Sequence, residues 1–254
     1  MEILDDLIDS LPEKGHPVHE VRCCAFWTAV TTRFTGLSAT YRALEGEIAD
    51  RPSRVRDVGS LTEKKALELA GFARSDNTLE ASIGMATINS LIDIDEDRCV
   101  DLNAYDVLAD RGRGRNIGVV GHFPFVHRLR DVAKNLWVIE RRMRPGDLPE
   151  NEVTRILPQC EVVCLTGTSL INHTIEKLLA LCRKSFIVLA GPTSPLTPLL
   201  FDHGIDVICG TKVIDPPEVL KHISQAATFK QLHGHGVRLL TLSKETEHGS
   251  GPSI

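Results

Sequence analysis

Four apolar segments in the second half of the chain each end in glycine followed by small polar or aromatic residues. This repeat restricts the fold more than any other feature. The segments run from 117 to 124, 162 to 169, 187 to 194 and 207 to 211. Short apolar runs without polar alternation are typical of strands buried on both faces, and such strands belong to parallel sheets. Ligands bind outside the carboxyl ends of these strands, where a glycine lets the backbone approach a ligand closely. The pattern therefore predicts an α/β protein with a small-ligand site at the glycine turns.

The segments between these strands have helical patterns, and the sequence before them has a different organisation. Helices are expected over 125–133, 170–182, 196–203 and 217–226, with further strands over 136–140 and 237–242. Right-handed βαβ crossovers would make this half a Rossmann-like parallel sheet domain. The first half predicts a short amphipathic helix, a strand over 18–32, a turn at Thr35–Gly36, a return strand over 37–43, and helices over 61–72 and 77–91. Gly84 lies in the middle of the last helix, which indicates close packing against a neighbour.

We divide the chain into a small α+β domain over residues 1–105, a Rossmann-like ligand-binding domain over 106–244 and a disordered tail over 245–254. The formal net charge of −5 gives no support for nucleic-acid or anionic-membrane partners. No apolar run is long enough to span a membrane. Seven cysteines without a CxxC pair favour a reducing, cytoplasmic location over a disulfide framework.

The turn after the first of these strands argues against an ordinary NAD site. The fingerprint GxGxxG is absent, and the turn contains Gly121, His122, Phe123 and Pro124 instead. Proline lacks an amide donor, and phenylalanine occupies space that a pyrophosphate would need. Glu140 ends the next strand, where Rossmann proteins often place an acid on ribose hydroxyls, so an adenosyl-type nucleoside stays open. A surface charge cluster of Glu140 with a neighbouring arginine is an equally good interpretation.

Two further turns carry hydroxyl groups suited to a polar ligand. Gly167, Thr168 and Ser169 open a predicted helix whose free amides would favour an anion, although plain helix capping explains the same residues. Asn172 either contacts the ligand or caps locally. Gly191, Thr193 and Ser194 form the second turn.

Two titratable residues are the candidates for acid–base chemistry, and no metal motif such as HExxH or paired CxxC is present. His122 lies at the predicted crevice, although a lone histidine in a loop more often has a structural role. Glu80 is a catalytic group, a ligand or a helix cap with Asn77. His233 and His235 offer metal-binding nitrogens, but they lack a third partner in the sequence, which favours a turn there.

Taken together, these segments resemble the putative heavy-metal chelation family. The similarity rests on residues 79–89, 118–124, 139–141, 144–149, 167–174 and 191–195. The resemblance implies a domain like the N-terminal domain of enolase, then a Rossmann-like domain, a site at their junction and a homodimer. Carried over by position, that site would draw on the following residues: Glu80, Asn89, His122, Phe123, Glu140, Thr168, Ser169, Asn172, Thr193 and Ser194.

The hypothesis from the sequence is a protein that chelates a heavy metal or binds a small polar molecule in the crevice between the two domains. A divalent metal ion is a possible cofactor, with its ligands unassigned. The alternative is an enzyme that uses an adenosyl-type nucleoside cofactor held by Glu140. Whether the protein is an enzyme stays open.

Overall fold

The computed structural model describes residues 2–13, 15–41 and 54–244. The predicted tail over 245–254 and the end of the return strand predicted over 37–43 lie outside these residues. The described chain forms a three-stranded antiparallel sheet and a seven-stranded, mostly parallel sheet. The predicted fold class, a Rossmann-like sheet domain preceded by a small α+β unit, is confirmed.

The described part of the first half contains three strands and three α-helices: α1 (Glu2–Asp9), β1 (Glu20–Cys23), β2 (Trp27–Thr31), β3 (Thr35–Ala39), α2 (Ala66–Ala70) and α3 (Thr78–Leu91). The single strand expected over 18–32 is wrong, because a turn divides it where the Cys24 amide donates to the Trp27 carbonyl at 2.9 Å. The turn expected at Thr35–Gly36 is also wrong, since both residues lie in β3. A Cβ on Gly36 would lie 2.1 Å from the Ala86 carbonyl oxygen, so this glycine serves the close approach of α3 to the sheet.

The helix expected over 61–72 is present only in pieces. A 3₁₀ turn (Leu61–Glu63) precedes α2, and a second one (Gly71–Arg74) follows it. The extended backbone of Lys64, with φ −77° and ψ 155°, interrupts the helical path.

Helix α3 is confirmed as a buried helix. The Asn77 side chain accepts a hydrogen bond from the Leu79 amide at 3.1 Å and so caps its first turn. A Cβ on Gly84 would lie 2.0 Å from the Ala73 nitrogen, which confirms the close packing inferred from this glycine.

The second half contains the remaining elements: β4 (Cys99–Val100), α4 (Ala104–Arg111), β5 (Asn116–Val120), α5 (Val126–Leu129), β6 (Asn135–Ile139), α6 (Val153–Ile156), β7 (Val162–Thr166), α7 (Thr168–Ile171), α8 (Ile175–Leu181), β8 (Phe186–Ala190), β9 (Val207–Val213), α9 (Pro216–Ser224), α10 (Phe229–Leu232) and β10 (Val237–Ser243). The strand order of the large sheet is β4-β10-β9-β8-β7-β5-β6. Strand β10 runs antiparallel to β4 and β9, and the other neighbours are parallel.

Four expectations for this half need correction. The helix predicted over 125–133 is limited to α5, because the Val132 and Ala133 amides both donate to the Leu129 carbonyl in a turn that ends the helix. The helix predicted over 170–182 divides into α7 and α8 because His173 takes a positive φ of 59° and its ring bonds to the Ala73 carbonyl. The helix predicted over 196–203 is only a 3₁₀ turn (Pro198–Phe201). Gly210 lies inside β9 instead of ending it, because the Leu196 side chain and the Ser194 carbonyl pack against its Cα.

One hydrophobic core connects the two halves. Buried side chains of α1 and α3 belong to the same cluster as those of β7 and β8, for example Leu4, Ile83, Leu165 and Leu189. The domain boundary at residue 105 stays a prediction. Strand β4 precedes that boundary in the sequence but pairs with β10 in the large sheet. Among the described helices, none combines the length and the apolar character needed to cross a bilayer.

Candidate functional site

A crevice lies at the topological switch point of the large sheet, where the strand order reverses. Strand β5 is followed along the chain by β6 on one side, and the chain then crosses over to β7 on the other side of β5. Crevices at such switch points, outside the carboxyl ends of the strands, are the usual ligand sites of open α/β sheets. The crevice has a volume of about 450 Å³, within the size range of small-molecule sites.

Hydroxyl and amide groups cover the β7 side of the crevice. Thr166 ends β7, and its Oγ1 lies 3.0 Å from the Oγ1 of Thr168. Ser169 donates from Oγ to the Thr166 carbonyl at 2.7 Å, and α7 has no side-chain cap. Helix capping therefore does not account for Thr168 or Ser169. Thr168 keeps its hydroxyl at the crevice, half-buried and available to a ligand.

Tyr41, which the sequence analysis missed, is the described residue that the first half contributes to this crevice. Its hydroxyl accepts hydrogen bonds from Asn172 Nδ2 at 3.1 Å and from the Arg141 guanidinium. The Oδ1 of Asn172 accepts from the Thr174 hydroxyl at 2.7 Å. Asn172 therefore both braces the break between α7 and α8 and lines the crevice.

Charged side chains of both signs surround the opening. Arg141 Nε lies 3.0 Å from a carboxylate oxygen of Glu150. Lys177 on α8 is exposed and forms no ion pair with any of the described residues. A ligand anion would therefore find a cation whose charge is not already compensated by a carboxylate of the described chain.

Glu140 joins the turns that follow β5 and β6. One carboxylate oxygen accepts the His122 amide and the other accepts the Arg142 amide, both at 2.9 Å. Both donors are backbone amides, so neither of these two contacts is the Glu–Arg ion pair of the alternative interpretation. Glu140 and Gly121 both line the crevice.

His122 forms a dyad with a carboxylate that the sequence analysis did not single out. Its Nδ1 lies 2.8 Å from Asp147 Oδ2, and the side chain of Asp147 is 1% exposed. The Arg144 amide also donates to Asp147, at 2.9 Å. The ring of Phe123 stacks on that of Phe125 at 5.2 Å. Neither His122 nor Phe123 is a lining residue of the crevice.

Glu80 lies apart from the crevice and does not form the capping box. Its carboxylate accepts from the Arg56 amide at 2.7 Å and from the Ser75 hydroxyl at 2.7 Å. It also pairs with the Arg56 guanidinium at 2.8 Å, although the Glu80 side chain is only 3% exposed. Burial opposes ionisation, but the hydrogen bonds from Arg56 and Ser75 outweigh it and hold the pKa of Glu80 below its usual value.

Asn89 and Thr193 join the two halves of the protein. The Thr193 hydroxyl accepts from the Ala39 amide at 2.9 Å, and Asn89 Nδ2 donates to the Leu37 carbonyl at 2.8 Å and to the Thr193 carbonyl at 3.3 Å. These bonds fix the end of β3, from which Tyr41 reaches the crevice. The Thr193 hydroxyl and the Asn89 amide, which the sequence suggested for binding a ligand, therefore bond to the backbone at the junction.

Ser194, Gly167 and Gly191 complete the predicted set, and none of them is a lining residue. Ser194 Oγ is buried without a hydrogen-bond partner among the described residues. A Cβ on Gly167 would lie 2.6 Å from this Oγ, so the turns after β7 and β8 meet here. Gly191 has a φ of 114°, which explains the glycine at that turn.

The donor atoms of the crevice do not fit a soft heavy-metal ion. Its described lining contains no cysteine and no histidine, whereas soft metals prefer thiolate and imidazole ligands. Burial raises the pKa of the Cys160 thiol to about 11 and that of the Cys182 and Cys209 thiols to about 12. Such thiols stay protonated at neutral pH and are poor metal ligands.

The fold defines a two-part α/β protein with a crevice at the switch point of its sheet. Two family comparisons agree with the resemblance seen in the sequence: residues 4–92 and residues 103–241 each match a family described as "putative heavy-metal chelation". The chain belongs to this family.

Similar proteins support the same fold. An uncharacterized protein from Methanocaldococcus jannaschii is 28% identical over 179 residues, which cover 67% of this chain and 69% of that protein. The crystal structure of a family member of unknown function from Desulfitobacterium hafniense has a TM-score of 0.81 and 28% identity, covering 96% of this chain and 98% of that one. A second family member of unknown function, from Pyrococcus horikoshii, has a TM-score of 0.78 at 20% identity, covering 95% and 98% of the two chains.

Proposed function

We propose that this protein binds a small polar molecule that carries an acidic group, in the crevice between β5, β6 and β7. The observation that carries the proposal is the crevice itself, which combines the switch point of the sheet with Tyr41 from the other half of the chain. A volume of about 450 Å³ suits a metabolite-sized compound.

The polar groups around the crevice support the acidic group. Lys177 on α8 supplies a cation to the crevice, and the hydroxyl of Thr168 on α7 supplies a neutral donor to it. The carboxylate of Glu140 supplies an acceptor at the opposite strand end, suited to a hydroxyl or amino group of the same ligand. A hydroxy acid or an amino acid satisfies both requirements.

The test is a thermal-shift screen of the purified protein against carboxylic acids, hydroxy acids, amino acids and adenosine. The compound that stabilises most is then titrated by calorimetry into the wild type, Lys177→Gln, Thr168→Val and Lys184→Gln. Loss of one charge-assisted contact costs about 1.5 kcal/mol, so Lys177→Gln should weaken binding about tenfold. Lys184 is exposed but lies outside the crevice, so Lys184→Gln should bind as the wild type does.

The adenosyl-type cofactor is a second candidate because Glu140 directly follows β6 and lines the crevice. Each carboxylate oxygen accepts one backbone amide and retains a lone pair for a ribose hydroxyl. This candidate predicts that adenosine raises the melting temperature of the wild type and not that of Glu140→Gln. An unchanged melting temperature of the wild type would remove it.

The expected homodimer and the cytoplasmic location stay part of the proposal. Light scattering on the purified protein tests the first, and fractionation of the source cells tests the second.

A further inference from the structure

Besides the crevice, a cluster of three side chains at the surface beside α9 has groups that could bind a metal ion. Glu218 and His222 lie four residues apart on α9, so they occupy the same face of the helix. His235 comes from the loop between α10 and β10. One oxygen or nitrogen atom from each residue lies within 4.8 Å of the others. None of the three lines the crevice.

The ring of His222 is held in an orientation that suits a metal ligand. Its Nδ1 lies 2.9 Å from the Glu218 carbonyl oxygen, which only accepts, so Nδ1 carries the proton. The lone pair then resides on Nε2. Hydrogen bonds of this kind from the distal nitrogen fix the tautomer of histidines that bind metals.

The loop that carries His235 is anchored against the start of α9. The Ile214 amide donates to the Gly236 carbonyl at 2.8 Å, and the Asp215 amide donates to it at 3.2 Å. A Cβ on Gly236 would lie 2.7 Å from the Asp215 carbonyl oxygen, so the glycine is required for this contact. The His235 ring stacks on the His222 ring with centroids 4.5 Å apart.

From this arrangement we infer a surface site for a borderline divalent transition-metal ion such as Zn²⁺, bound by Glu218, His222 and His235. Two imidazoles and one carboxylate are a known three-residue zinc set, with water completing a tetrahedron. Zinc–ligand bonds of about 2.0–2.1 Å place tetrahedral ligands about 3.4 Å apart, so the side chains move together on binding. His235 is exposed and can rotate to do so. Two contacts of the Glu218 carboxylate compete with the metal: Lys221 Nζ lies 3.5 Å from Oε2, and His222 Nδ1 lies 3.3 Å from Oε1. The carboxylate therefore has to turn from Nδ1 toward the Nε2 side of His222 when the ion binds, and at the surface the loss of the lysine pair costs little.

The site is independent of the proposed crevice ligand. It uses the one group of His, Cys, Asp and Glu side chains in the described chain that has metal-binding spacing. The described lining of the crevice, by contrast, contains no histidine and no cysteine.

The experiment is calorimetric titration of Zn²⁺ into the full chain after chelator treatment and dialysis. The wild type should bind one ion per chain at this site, and His222→Ala and His235→Ala should each weaken that binding at least about tenfold. His233→Ala is the matched control, since His233 is exposed on the same loop and lies outside the cluster. It should bind zinc as the wild type does. Far-UV circular dichroism of each metal-free variant tests whether the fold is kept. Because His235 is exposed, His235→Ala should fold as the wild type does.

The visible absorption of bound Co²⁺ gives a second readout, because the tetrahedral spectrum should be lost in His235→Ala and kept in His233→Ala. Equal zinc affinity in His235→Ala and His233→Ala would overturn the inference, as would the absence of zinc binding by the wild type. Lys177→Gln, which tests the crevice ligand, should leave zinc binding unchanged, so the two proposals fail separately.

Discussion

Replacing Gly84 with alanine tests whether α3 packs against the neighbouring 3₁₀ turn as closely as the structure indicates. The added Cβ would lie 2.0 Å from the Ala73 nitrogen and 2.6 Å from the Ala73 Cα. Ordinary contact begins at 3.4 Å, so one backbone segment has to move by about 1.4 Å. Overpacking of this kind costs about 1–3 kcal/mol. The upper end applies because the obstacle is backbone and not the tip of a flexible side chain.

Alanine gains about 1 kcal/mol over glycine from helix propensity, which reduces the loss. The net destabilisation of Gly84→Ala should be about 2 kcal/mol, equivalent to a fall in melting temperature of roughly 4–8 °C for a domain of this size. Urea denaturation and calorimetry measure both quantities.

Gly71→Ala is the matched control for this substitution. Gly71 has a helical φ of −58°, and nothing lies within 4 Å of the position that an added Cβ would occupy. The free energy of unfolding should therefore stay unchanged or rise by up to about 1 kcal/mol. If Gly84→Ala proves as stable as Gly71→Ala, the packing of α3 described above is incorrect.

Three further predictions concern stability and reactivity. Glu80→Gln should lower the free energy of unfolding at pH 7 by about 1–3 kcal/mol. Because the pKa of Glu80 is lower in the folded than in the unfolded protein, its contribution to the free energy of unfolding is present above the unfolded value of 4.5 and is lost as the pH falls below that value. The urea midpoint of the wild type should therefore drop more steeply than that of Glu80→Gln below pH 4.5. Parallel plots of urea midpoint against pH for the two proteins would contradict this role of Glu80. Thr193→Val removes the acceptor of the half-buried Ala39 amide and should cost about 1 kcal/mol, whereas Thr193→Ser should retain most of the stability. At pH 8 an alkylating reagent should modify Cys160 and Cys182 only after unfolding, and mass spectrometry showing both modified in the native protein would contradict their burial and raised pKa.

The sequence predicts the strands of the large sheet because their pattern is local. Short apolar runs that end in a glycine turn identify β5, β7 and β8 without any tertiary information. Helix α3 is equally predictable from its cap and its apolar faces. The pattern over 170–182 predicts a continuous helix because its apolar periodicity persists across the break. The division of that helix depends on the bond between His173 and the distant Ala73 carbonyl.

The sequence predicts the crevice only in part. Gly121, Glu140 and Thr168 are identifiable because each lies within two residues of the end of a strand. Tyr41 is not, because the first half brings it there through the junction at Thr193, a contact that spans 154 residues of sequence. Asn89 and Thr193 carry polar groups suited to a ligand, but the same groups bond the backbone at the junction. Sequence pattern alone does not distinguish these two uses.

The titration of the most stabilising carboxylic acid into the wild type and Lys177→Gln tests the crevice proposal most directly. The proposal predicts one binding site per chain and an affinity about tenfold weaker in Lys177→Gln, with Lys184→Gln unchanged. Equal affinity in all three proteins would place the ligand outside this crevice and contradict the proposed function.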